Sequence, residues 1–264
     1  MIPSTDNAAP ASTTRTARNS REYYEGYWEH GIDAWSPADI SITRFEEKLL
    51  QPFIGPSCRA LDYGCGDGAH AGSYLVPRCR DYTGIDVSHA AVAAAREKGL
   101  NAETFDPEAQ LPFANDTFDL TVCFEVLEHT FAPAEIVQEQ RRVLKPGAHL
   151  LGSVPNITHL PNRILMLLGF FSPGGSPSTS LKKPWADPHI RFFSKRTLAA
   201  MLREAGFRRV KVIGSPFSFQ EFPVVYRSPR AIRSALRAAS TPIAWLGQAW
   251  PSLFASRLYF IAEK

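Results

Sequence analysis

The octapeptide LDYGCGDG, residues 61–68, restricts the fold more than any other stretch. An apolar run that reads as a buried strand closes at Asp62 and Tyr63, and Gly64, Gly66 and Gly68 follow at once. Glycines placed directly after a strand and ahead of a helix let the main chain approach a ligand with no Cβ in the way. A dinucleotide-binding fold uses a similar turn. In either case an acid about twenty residues on, here Asp86, would meet ribose hydroxyls.

The pattern downstream alternates strand and helix. CRALDY reads as the first strand and AHAGSYLV as the helix after the turn. DYTGIDVS gives a second strand, HAAVAAAREKG a helix stopping at Gly99, and NAETFD a third strand. DLTVCFEV, Asp119 to Val126, is apolar on both alternating faces, as a strand covered on both sides must be. The helix AEIVQEQRRVL and the strand HLLGSVP follow. SKRTLAAMLREAGF supplies a helix with Ser194 as N-cap and Gly206 as stop, and RRVKVIGS and RLYFIAEK supply two final strands. Regular alternation of this kind predicts an α/β fold with a doubly wound, mostly parallel, seven-stranded sheet, right-handed crossovers and an antiparallel last strand.

At the ends of this core the pattern changes. Residues 1–20 are rich in Ser, Thr, Ala and Pro with no apolar run, which reads as a disordered tail and not as a signal peptide. Residues 21–55 carry Tyr23, Tyr24, Tyr27, Trp28 and Trp35 ahead of ITRFEEKLL, and predict a helical N-terminal cover on a main domain over 56–264. Residues 156–190 interrupt the alternation with RILMLLGFF, too short to span a bilayer, and a Pro, Gly and Ser segment; this insertion is expected to shape the substrate side. Cys58, Cys65, Cys79 and Cys123 lack zinc spacing and fit reduced thiols in a cytoplasm.

Taken in order, LDYGCGDG, GIDVS, LPFANDTFDLTVCFEVLEH, RRVLKPGAHLLGSVPN and HIRFFSKRTLAAMLREAGF resemble the class I S-adenosylmethionine-dependent methyltransferases, in particular the small-molecule branch containing ubiquinone-type O-methyltransferases. The resemblance runs from about residue 60 to about residue 213. It implies a Rossmann-like fold, S-adenosyl-L-methionine as cofactor, and methyl transfer to an O or N atom of a small or amphiphilic metabolite such as a natural product, a sugar or a quinone precursor. A metal-assisted RNA 2′-O-methyltransferase and an NAD(P)-dependent reductase on a similar fold stand as alternatives, as does a non-catalytic partner subunit.

Carried over by position, the resemblance gives Asp62, Gly64 and Gly66 to the methionine moiety and Asp86 to the ribose hydroxyls. It sets Val87 on an adenine face, Asp106 at the adenine amino group, Glu125 in the cofactor pocket and Arg44 at the cofactor carboxylate. Methyl transfer from a sulfonium asks for alignment, exclusion of water and removal of a proton from the acceptor. His129 and His189 are the catalytic candidates. The E-x-x-E-H run also occurs in family members that hold a divalent metal, so Glu125, Glu128, His129 and His189 form an alternative metal set, with a metal-free site as the favoured reading.

Charge is uneven. From Arg191 to Arg237 there are eleven Lys and Arg against Glu204 and Glu221, so this stretch carries +9 and the remainder −6 of the net +3. Within 229–255, Arg230, Arg233 and Arg237 share one helical face, Ile232, Leu236 and Ala239 the other, and Trp245 and Trp250 follow. A helix packed on the sheet is the favoured reading. The alternative is peripheral contact at the inner membrane surface of an otherwise cytoplasmic protein. The partner expected is a small-molecule or amphiphilic acceptor and not nucleic acid; the oligomeric state is left open.

Overall fold

Period-two alternation along the strands decides how the layers assemble. In a computed structural model of the chain, residues 21–28, 42–107, 109–171, 187–219 and 228–264 are described. The expected tail at 1–20, Trp35, and part of the insertion at 172–186 lie outside the described residues. Neighbouring residues on each strand feed opposite cores. Leu61, Cys123, Leu150 and Phe260 pack on one face of the sheet, while Ala60, Val122, Leu151 and Ile261 pack on the other.

Seven strands form one sheet: β1 (Arg59–Tyr63), β2 (Asp81–Asp86), β3 (Ala102–Thr104), β4 (Phe118–Phe124), β5 (Leu144–Pro155), β6 (Arg208–Gly214) and β7 (Arg257–Glu263). Their order is β3-β2-β1-β4-β5-β7-β6. All pairings among β1 to β5 are parallel, and β7 runs antiparallel to both of its neighbours. The order reverses between β1 and β4, and a crevice opens outside the carboxyl ends of such strands.

Residues 21–28 form helix α1. The further helices are α2 (Arg44–Leu50), α3 (Ala71–Leu75), α4 (His89–Glu97), α5 (Pro133–Val143), α6 (Leu160–Leu167) and α7 (Lys195–Glu204). After β6 come α8 (Arg230–Ser240), α9 (Leu246–Ala249) and α10 (Pro251–Phe254). Ile136, Val137, Leu198 and Leu202 from α5 and α7 cover one face of the sheet, and Leu50, Ala71 and Leu75 from α2 and α3 cover the other. Two boundaries differ from the expected ones. The third strand is confined to Ala102–Thr104, and the fifth begins at Leu144, because Phe118 on β4 pairs with Leu144 ahead of a register shift.

Helix α2 is fixed by a capping box. The Thr43 hydroxyl accepts from the Glu46 N–H, and the Glu46 carboxylate accepts from the Thr43 N–H at 2.7 Å. Glu46 is nevertheless 1 % exposed. Its other oxygen accepts from the Tyr259 hydroxyl at 3.0 Å and lies 3.8 Å from Arg257 Nη1, while His70 Nε2 lies 3.4 Å from Oε2. One carboxylate therefore ties α2 to the start of β7 and to the turn before α3. Burial pushes this carboxyl up, but the hydrogen bond and charge of His70, the Thr43 N–H and Arg257 outweigh burial and bring it from 4.5 to about 2.

A carboxyl held low in the folded state stabilises it fully above about pH 4.5 and loses that contribution as pH falls toward 2. Glu46→Gln is therefore expected to lower the unfolding free energy at pH 7 by about 3 kcal/mol and to flatten the loss of stability between pH 4.5 and 2. Urea melts across that range check this, and an acid limb in the variant as steep as in wild type contradicts it.

Candidate active site

The crevice at the carboxyl ends of β1, β2 and β4 is a cleft of about 1330 Å³. Its floor is the turn after β1, where Gly64 has φ +76° and Gly66 φ +54°, conformations that side-chain-bearing residues rarely adopt. Space would forbid a side chain as well. A Cβ on Gly64 would meet Val126 at 2.4 Å, and one on Gly66 would meet the Trp28 ring at 2.7 Å. The aromatic residue above Gly66 comes from α1. That helix is held across the cleft by Glu25, whose carboxylate accepts from the His89 and Ala90 N–H groups at 2.8 and 3.0 Å and so caps α4.

Two carboxylates line the cofactor half. Asp86, at the end of β2, accepts from the Gly66 N–H at 2.9 Å through one oxygen and from the Ser88 N–H at 3.0 Å through the other. Burial raises its pKa against these backbone donors. Asp62, 3 % exposed, accepts from the Tyr82 hydroxyl at 2.8 Å, and burial pushes it up to about 6 against the pull of Tyr82 and His70. A cation brought next to Asp62 would favour its charged form, so a sulfonium nucleoside with a free amino group suits this pocket electrostatically. Val87, half-buried, lines the wall beside Asp86.

The acceptor half is built by the turn after β4 and by the end of the insertion. Glu125 has φ +53°; its carboxylate accepts from the Ser153 hydroxyl at 2.7 Å and pairs with Arg257 Nε at 3.1 Å. Glu128 is 1 % exposed, and neither of its carboxylate oxygens has a hydrogen-bond partner among the described residues. Burial and the neighbouring Glu125 push its pKa well up. Its main-chain carbonyl accepts from the Ile190 and Arg191 N–H groups at 2.9 and 3.0 Å, which pins His189 against it.

His189 Nδ1 lies 2.6 Å from Asp187 Oδ1, and His129 Nδ1 lies 3.3 Å from the Pro188 carbonyl. Each Nδ1 thus faces an oxygen acceptor and each Nε2 faces Glu128. The Nε2 atoms stand 3.8 and 4.0 Å from Glu128 Oε1, with the two rings 4.5 Å apart. Burial and His189 lower the His129 imidazole to about 3, so it is neutral near pH 7. Tyr24 of α1 closes this half, its ring edge-on to His129 at 5.8 Å.

Glu128, His129 and His189 bring ligand atoms within 4.8 Å of one another, so the residues present fit a divalent cation. Glu125 is not in that group; its carboxylate is taken by Arg257 and Ser153, which corrects the four-residue set. Two further expected residues do not line the cleft. Arg44 is exposed at the first position of α2, and Glu46, about 200° further round the same helix, faces the cleft in its place. Asp106 is exposed after β3, because Phe105 takes the inward position against Tyr63 at 5.0 Å and Asp106 then points away. Glu46, His70, Asp187 and Arg257 were not foreseen. The T-x-x-E capping signature at Thr43 marks Glu46 as a helix cap, but nothing local marks it as buried.

A methyltransferase-domain family model matches residues 22–212. A probable S-adenosylmethionine-dependent methyltransferase of Mycobacterium tuberculosis is 28 % identical over 219 residues, covering 80 % of this chain and 68 % of the relative. The ubiquinone biosynthesis O-methyltransferase of Burkholderia pseudomallei is 30 % identical over 165 residues, covering 60 % of this chain and 68 % of the relative. The solved structure of an S-adenosylmethionine-dependent methyltransferase from Archaeoglobus fulgidus superposes with a TM-score of 0.56 at 19 % identity, over 92 % of this chain and 99 % of that one, and shares its fold. The family's cofactor is a sulfonium nucleoside and not a nicotinamide dinucleotide. The chain belongs to the class I S-adenosylmethionine-dependent methyltransferases and is an enzyme of that family, with S-adenosyl-L-methionine as its cofactor.

Proposed function

We propose that the enzyme methylates an oxygen or nitrogen atom of a small or amphiphilic metabolite that enters beside Glu128, His129 and His189. The observation that carries this reading is a buried polar cluster without partners: both oxygens of the Glu128 carboxyl and the Nε2 atoms of His129 and His189 face one another inside the cleft. A hydroxyl or amine entering there supplies a polar partner. In the transfer, the acceptor atom forms its bond to the methyl carbon as the carbon–sulfur bond breaks and the neutral thioether leaves, while the acceptor's proton passes to an imidazole. His189 suits that role, because Asp187 fixes its tautomer and stabilises the imidazolium that results. His129 and Tyr24 wall the site against water.

Cell extract incubated with methyl-labelled cofactor and analysed by mass spectrometry is expected to yield a labelled small or amphiphilic metabolite. With that acceptor in hand, His189→Ala is expected to lower kcat by about 10²- to 10³-fold while leaving S-adenosylhomocysteine affinity unchanged. Label confined to protein or RNA, or an unaltered kcat, contradicts the reading.

A second reading rests on the same cluster. A carboxyl and two imidazoles whose ligand atoms converge also invite a cation, whose charge would favour the ionised form of Glu128, and Glu128, His129 and His189 would hold a divalent metal. When bound, it would act as a Lewis acid toward an acceptor hydroxyl. Elemental analysis of the purified enzyme tests this directly. Stoichiometric metal that disappears in Glu128→Ala is expected on this reading; full turnover in chelator with no retained metal rejects it.

A further inference from the structure

We propose that α6 with the two phenylalanines that follow it, together with the α8–α10 segment, forms a docking surface for an anionic lipid bilayer. Large apolar side chains in water are concentrated here. Leu167 is 86 % exposed and Leu168 65 %, and Phe170, Trp245 and Trp250 are each 55 % exposed. The two segments adjoin at α6 and α10. Asn156, just ahead of α6, donates from Nδ2 to the Pro251 and Ala255 carbonyls at 2.9 and 2.7 Å, and Arg163 of α6 reaches the Ser252 carbonyl at 3.4 Å. A bare apolar patch of this kind on a water-soluble domain marks an interaction surface.

Helix α8 extends the surface. The sequence favours packing it on the sheet, yet among its described side chains only Ser240 is buried, and Ile232 on its apolar face is 48 % exposed. An amphipathic helix left in water with both faces open still lacks the surface its apolar face requires.

Charge selects the occupant. Neither residues 156–171 nor residues 228–256 contain a single aspartate or glutamate, while Arg163, Arg230, Arg233 and Arg237 fall within them. An acid-free face carrying arginines, leucines and two tryptophans matches anionic headgroups over acyl chains, since tryptophan settles at the water–hydrocarbon boundary and arginines are drawn to the negative surface. Contact of this kind is peripheral; among the described residues no helix is long and apolar enough to cross a membrane.

The surface also adjoins the acceptor half of the cleft. Phe192, three residues beyond His189, packs edge-on against Phe171 at 5.5 Å. A membrane-held acceptor would thus have a short path to the site, a consequence that rests on the amphiphilic reading above, whereas the docking surface does not.

Vesicle flotation without any acceptor tests the surface on its own. The full chain is expected to float at low salt with vesicles of equimolar phosphatidylglycerol and phosphatidylcholine, with a blue shift of tryptophan fluorescence, and to stay in solution with phosphatidylcholine alone. Leu167→Ser with Leu168→Ser is expected to reduce partitioning at least tenfold. Arg233→Gln and Arg237→Gln should reduce it by about fivefold each. All of these substitutions lie outside the cleft, so unchanged S-adenosylhomocysteine affinity shows that the variants are folded. Absence of wild-type flotation, or flotation indifferent to the substitutions, overturns the proposal. A wild-type dimer that ignores vesicles and becomes monomeric in the leucine variant assigns the face to self-association instead.

Discussion

The Asp86 carboxylate is the constraint on which the site depends. It sits at the end of β2 and accepts one N–H from the glycine turn after β1 and one from the start of α4. The Ile85 carbonyl beside it accepts from the Gly64 and Cys65 N–H groups at 2.8 and 3.0 Å. Two adjacent parallel strands are thus laced together at their carboxyl ends before any ligand arrives. The backbone donors offset part of the cost of burying the charge and fix the carboxylate's orientation, so on the proposed function an incoming ribose would find an acceptor already in place.

The cleft then divides by the sign of what is missing. On one side stand the buried carboxyls of Asp62 and Asp86, which positive charge or hydroxyl donors would suit. Along the wall, Arg257 stands between Glu46 and Glu125 and joins α2, β7 and the turn after β4. On the other side Glu128, His129 and His189 converge, with both Glu128 oxygens unpartnered among the described residues. On the proposed function the methyl group passes from the first region to the second. Glu25 fixes α1 over the cleft, with Trp28 against the glycine turn and Tyr24 edge-on to His129, so one helix covers both regions.

The strand alternation, the glycine turn, Asp62, Asp86 and the run from Glu125 to His129 were legible in the sequence because each is local: a period, a spacing or a turn whose chemistry lies within a few residues. What escaped is long-range. Glu46 meets Tyr259 across 213 positions, and a glutamate on an amphipathic helix reads as solvated until the antiparallel return of β7 buries it. Asp187 becomes the partner of His189 only when the insertion folds back onto the Glu128 carbonyl. Arg44 and Asp106 were misplaced by small angular facts, a helical phase and a single alternation after β3, which position in a motif does not encode. For α8 the amphipathic pattern was evident, but which surface its apolar face meets is not a property of the helix itself.

Calorimetric titration with S-adenosylhomocysteine of the wild type and of Asp86→Ala tests the central claim most directly. The wild type is expected to bind it in preference to NADH, and the substitution to weaken binding by about 1.5 to 3 kcal/mol, the worth of hydrogen bonds to a charged acceptor. Equal affinity in the two proteins, or a wild type that prefers NADH, would contradict the account.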